Sequence, residues 1–122
     1  MREISYVLRL PPTINHYYYT TSKGQRRMKP EAEAWMEEAR WTIKTAAQRN
    51  KWEISKGKKI IMCLWAHWPD KRRRDMNNLH KALCDAPEGI LYEDDKMVLV
   101  RDMDFTVDKE HPRVVVEIEE ME

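Results

Sequence analysis

Cysteine and glycine are scarce in this chain, and long apolar runs are missing. Its 122 residues include two cysteines, Cys63 and Cys84, far apart and in no C-x-x-C pattern. That argues against a disulfide framework and leaves little for a thiolate zinc site. Both cysteines read as buried apolar residues in a reducing compartment. The three glycines form no phosphate-cradling pattern. No run approaches the about 18 apolar residues of a membrane span, and the charged start Met1-Arg2-Glu3 lacks a signal-peptide core, so a cytosolic protein is expected. The four histidines are scattered, and no serine nucleophile with a matching His and Asp is visible. There is neither a repeat nor a low-complexity tract.

A strong global charge is also lacking. The formal net charge is +1, so the balance alone names no partner. Its distribution is uneven. Cations concentrate over residues 23–29, 56–59 and 71–74, whereas residues 117–122 are acidic. Local patches of this kind bind nucleic acid without a high isoelectric point. With 42% hydrophobic residues a core can form, and the length suits one domain spanning residues 1–122.

Alternation over residues 3–10 predicts a strand with Ile4, Tyr6 and Leu8 on one face. Pro11-Pro12 ends it, and residues 13–29 read as a long loop rich in Asn, Tyr, Thr and Lys. Pro30 suits the first turn of a helix, whose buried stripe is Ala32, Trp35, Ala39, Ile43 and Ala46. Most tryptophans read as core, Trp35 and Trp65 especially. Residues 60–68 are the most apolar stretch and predict a central strand. A basic loop follows, and Asp75 is placed to cap a helix reaching about Ala86, with Leu79, Ala82, Leu83 and Ala86 buried. Residues 96–107 and 113–118 read as two last strands forming an antiparallel pair. The expected architecture is α+β: a small mixed or antiparallel sheet with two main helices packed on it.

The most informative segment is Asp70-Lys71-Arg72-Arg73-Arg74-Asp75-Met76-Asn77-Asn78-Leu79-His80-Lys81. A basic run attracts a polyanion, and an acidic and amide cluster attracts a divalent metal. End to end they suit a phosphate backbone held beside an ion, as a nuclease needs. Asp75 and the acidic stretch Glu93-Asp94-Asp95 could meet at one Mg²⁺, which takes oxygen ligands and keeps several waters. Asn77, Lys81 and Asp85 share one helix face, where the plainer reading is a Lys81–Asp85 ion pair. Upstream, His16, Tyr17, Tyr18 and Tyr19 stand beside Lys23, Arg26, Arg27 and Lys29. Rings among cations suit unstacked bases and phosphates, although one or two of these tyrosines could equally be core.

Three segments carry a family resemblance: R-R-R-D-x-x-N-L-x-K from Arg72, P-P-T-I-N-H-Y-Y from Pro11, and L-Y-E-D-D-K-M-V from Leu91. In spacing and order the chain resembles the RusA-type Holliday junction resolvases, phage-associated endodeoxyribonucleases of DNA recombination and repair. The resemblance implies a homodimer that binds four-way junction DNA and makes paired, Mg²⁺-dependent nicks, with Mn²⁺ a possible replacement. It implies an acidic triad on Asp75, position 77 and Asp95, with Asp94 adjacent, and a catalytic lysine on Lys81. DNA contacts are expected from Lys71, Arg72, Arg73, Arg74, Asn15, Tyr17, Lys23, Arg26, Arg27 and Lys29. Position 77 departs from the family, since Asn77 stands where the pattern has aspartate. Its amide offers an oxygen without a negative charge, so metal binding should weaken. The replacement is open to two accounts, an engineered change or a natural one giving a weak nuclease. Junction binding without catalysis is the alternative function.

Overall fold

Burial of residues 60–68 organises this fold. The computed structural model describes residues 2–13 and 16–122. Its elements run β1 (Arg2–Leu8), β2 (Tyr18–Thr20), β3 (Arg26–Met28), α1 (Pro30–Arg49), β4 (Ile60–Trp68), α2 (Asn77–Asp85), β5 (Val98–Val107) and β6 (Arg113–Glu120). The fold is mixed α+β: a four-stranded sheet ordered β1-β6-β4-β5, a separate β2-β3 hairpin, and two helices. No helix among the described residues is long and apolar enough to cross a membrane.

β4 is the most apolar strand and takes a central place, which satisfies both backbone edges. It pairs antiparallel with β6 and parallel with β5. Parallel neighbours need a crossover, and α2 lies within it. On one face Ile60, Met62, Leu64 and Ala66 meet Ile118, Val116 and Val114, which in turn meet Ile4, Tyr6 and Leu8. All of these are buried. α1 adds Ala32, Trp35, Ala39, Ile43 and Ala47 to the core, and α2 adds Leu79, Ala82 and Leu83.

Four expectations are corrected. The last two strands do not pair, because β4 separates them. The connection after β5 passes the end of β4, where the Asp108 amide donates to the Trp68 carbonyl at 2.8 Å. The segment read as a loop over residues 13–29 contains the β2-β3 hairpin, whose three-residue strands give too short an alternation to read. Trp65 is only half-buried, and Trp41 is 74% exposed. Both cysteines are half-buried rather than buried, and both are free.

The outer strand β1 is stapled to β6 by charge. The Arg2 guanidinium donates to Glu120 through Nε at 2.9 Å and Nη2 at 3.0 Å, and it also donates to the Glu53 carbonyl. The bonds from Arg2 hold the Glu120 carboxyl down at about 2. A depressed carboxylate stabilises the fold above its unfolded pKa, and that stability fades as pH falls through the folded value. Glu120→Gln should therefore cost roughly 1–3 kcal/mol at neutral pH. In urea titrations the gap from the parent protein should close as pH drops from about 4.5 towards 2.

Candidate metal centre and nucleic-acid interface

At the C-terminal end of α2 the chain turns sharply and gathers carboxylates. Asp85 ends the helix, Pro87 and Gly89 turn the backbone, and the chain returns through Tyr92 to Asp94. Gly89 has φ +84, the left-handed region that glycine enters without strain. Asp94 caps a single 3₁₀ turn, Asp95–Met97, by accepting the Lys96 amide at 2.7 Å. Asp95 follows it. Ligand oxygens of Asp85, Glu88 and Asp95 lie within 4.8 Å of one another.

This turn is anchored from outside. Arg40 of α1 donates to the carbonyls of Ala86 at 3.2 Å and Glu88 at 2.6 Å, a cation at a helix C-terminus. The Trp52 indole donates to the Leu91 carbonyl at 3.0 Å. The Tyr92 hydroxyl donates to the Cys84 carbonyl at 2.5 Å. Three side chains from three segments thus fix the backbone that carries Glu88.

The electrostatics follow from crowding. Burial, then the charges of Asp95 and Asp85, push the Glu88 carboxyl above its ordinary range. Lys81 Nζ stands 3.1 Å from Asp85, and this bond pushes the lysine pKa up and keeps it charged. Burial and the same carboxylates push the Cys84 thiol to about 12, so it stays protonated and is no nucleophile. One ammonium faces three carboxylates, and a divalent cation would relieve the excess.

The other end of α2 is basic. Asp70 folds the loop onto itself, with Oδ1 accepting from Arg74 Nη1 at 2.7 Å and from the Arg72 amide at 2.9 Å. Those bonds, Arg74 foremost, hold the Asp70 carboxyl down at about 2. Arg74 also lies 5.4 Å from the Trp68 ring centroid. It is thus a brace, whereas Lys71, Arg72 and Arg73 are exposed. Asp75 is exposed and accepts the Asn77 amide at 2.9 Å. The helix cap falls on Met76, with no side-chain cap. Asp75 borders a groove of about 700 Å³ with Trp68, Arg73, Asp102 and Phe105.

In the hairpin, Lys23, Arg26 and Arg27 are exposed and Lys29 is half-buried. Arg26 sits over the Tyr18 ring at 4.1 Å. Tyr17 is only 2% exposed, edge-on to Tyr18 at 4.8 Å, so its ring is not offered to a base. Asn15 lies outside the described residues.

The RusA endodeoxyribonuclease family model matches residues 10–119. A crossover junction endodeoxyribonuclease RusA of Escherichia coli strain K12 is 31% identical over 108 residues, covering 86% of this chain and 87% of the relative. The namesake from Shigella sonnei matches equally. One from Enterobacteria phage 82 is 30% identical over the same length and shares. The chain belongs to the RusA family.

RusA nucleases are metal-dependent, and the donor set here suits that. Three carboxylates with hard oxygen atoms match Mg²⁺ or Mn²⁺. The expected site residues are distributed along α2 rather than gathered. Asp95 belongs to the acidic trio with Asp85 and Glu88, and Lys81 adjoins it. Asp75 belongs to no group of three close acidic ligands among the described residues. Asn77 opens the helix that Asp85 closes, about 12 Å away at 1.5 Å per residue. Sequence reasoning missed Glu88, and it gave Asp85 only an ion-pair role. The available signal was acid on both sides of the helix-terminating Pro87. Arg40 carried no signal.

Arg40→Met tests the anchoring. It should lower stability by roughly 1–3 kcal/mol in urea, since two buried carbonyls lose a charged donor. It should also weaken Mn²⁺ binding in calorimetry, because the Glu88 backbone loosens.

Proposed function

We propose that this RusA-family protein is a divalent-metal-dependent endonuclease that resolves four-way DNA junctions by paired nicks. The acidic trio of Asp85, Glu88 and Asp95, with Lys81 at its edge, carries the reading. The trio would hold Mg²⁺ or Mn²⁺. When bound, such an ion lowers the pKa of water and neutralises charge on a phosphodiester.

The chain's own groups do the rest. Lys81 places positive charge where a phosphate oxygen gains negative charge. Glu88, with its raised pKa, is the carboxylate best suited to take a proton. Lys71, Arg72 and Arg73, braced by the Asp70–Arg74 pair, grip the backbone as it leaves one end of α2. Lys23, Arg26, Arg27 and Lys29 supply a second grip. Opposed cuts need two sites, and a homodimer supplies them by symmetry.

A second reading keeps the ligand set Asp75, Asn77 and Asp95. Asn77, in place of the family aspartate at the head of α2, favours it. On that reading the protein binds junctions and cuts them poorly.

One experiment separates the two. A labelled four-way junction and a linear duplex are mixed with protein, with and without Mg²⁺, using Glu88→Gln, Asp95→Asn and Asn77→Asp. The first reading expects Glu88→Gln and Asp95→Asn to lose at least about tenfold in metal affinity, ~1.4 kcal/mol, and to lose cutting. The second expects Asn77→Asp to gain both and Glu88→Gln to change neither. No preference for the junction by any variant sinks both. Cutting should also fall as pH drops, from above the ordinary glutamate range, because protons and metal compete for Glu88. Replacing Lys71, Arg72 and Arg73 with alanine should flatten the salt dependence of binding by up to about 0.9 per lost phosphate contact.

A further inference from the structure

β5 is the longest strand, ten residues, and it forms an outer edge of the main sheet. It is also the least protected. Leu99, Met103, Phe105 and Val107 are 47–63% exposed and make up most of the large apolar side chains exposed among the described residues. Soluble proteins blunt such edges with lysine, proline or a covering segment. β5 has no lysine and no proline, and its outer backbone faces no other strand.

Its charges are also unmatched. The β4–β5 register runs Cys63↔Arg101 and Leu64↔Asp102, then skips Met103 to Trp65↔Asp104. Without that bulge Arg101 and Asp104 would point to opposite faces. With it they share one face, opposite the core face of Met62 and Leu64. Among the described residues neither has an ion-pair partner. Asp104 engages only the Phe105 amide, at 2.8 Å. Asp102, on the other face, is occupied by His80 at 2.7 Å.

We propose that the free edge of β5 is where a second copy of this chain docks, strand against strand, antiparallel across a two-fold axis near Asp102 and Met103. That arrangement sets Arg101 against Asp104 of the second copy, twice by symmetry, and Val100 against Phe105. Opposite charges and apolar pairs facing each other are the stabilising unit of an antiparallel ladder. It also covers the exposed apolar side chains and makes one eight-stranded sheet. The grooves bordered by Asp75 and Phe105 then lie side by side at the axis. The proposal rests on the two-fold assembly put forward for the nuclease and adds its surface.

The test is sedentration-free in design: light scattering after size exclusion, over a concentration series of the whole protein, with Arg101→Glu, Asp104→Arg, and the exchange of both as Arg101→Asp with Asp104→Arg. Each single reversal should raise the dimer dissociation constant at least about tenfold, and the exchange should restore it. Hydrogen exchange of the parent should show amides of residues 99–106 gaining protection as concentration rises. A dimer indifferent to both reversals, with no such protection, overturns the β5 edge and leaves the two-fold reading intact. A parent protein that stays monomeric overturns both. Reversals that alter only junction affinity, at unchanged mass, mark the edge as a DNA contact and overturn the proposal.

Discussion

β4 must be buried on its core face and paired along both edges, and most of this structure follows from that. An apolar strand with an open edge would recruit other chains. β6 fills one side and β5 the other, and the parallel partner forces a crossover. α2 lies in that crossover, so one end of the helix sits by the exit of β4 and the other by the entry to β5. The basic loop and the acidic turn are therefore the two ends of a single topological necessity.

Within that frame the polar groups do different jobs. Some brace the scaffold. Asp70 and Arg74 fold the basic loop, Arg2 and Glu120 close the outer strand, and Arg40 holds the turn after α2. Others are left in excess. Glu88 and Asp95 share one lysine with Asp85, and the exposed cations beside Asp70 have more positive charge than that carboxylate can answer. The braced groups account for order. The excess charge points to partners of opposite sign, an ion at one end and a phosphate backbone at the other.

Much of this was legible because it is local and periodic. The stripe Ala32, Trp35, Ala39 and Ile43 announces α1 at helical spacing, and residues 60–68 announce β4 by composition. Strand order was not legible. Whether β6 pairs with β5 or β4 depends on which apolar strand most needs two neighbours, a comparison across the whole chain. The hairpin was hidden by its brevity. The candidate site was half legible: Asp95 and Lys81 stood out through the family pattern. Glu88 did not, because a turn shaped by Pro87 and Gly89, and held by an arginine 48 residues away, brings it to Asp95.

The acidic trio has one more consequence. Its members come from a single short stretch, residues 85 to 95, so the loops that join them are small and cost little entropy to close. A centre assembled from neighbouring sequence is insulated from drift elsewhere. Insertions in the hairpin or beyond β5 would change what reaches the carboxylates while leaving their spacing alone. Such a module can be retuned for new nucleic-acid shapes without being rebuilt.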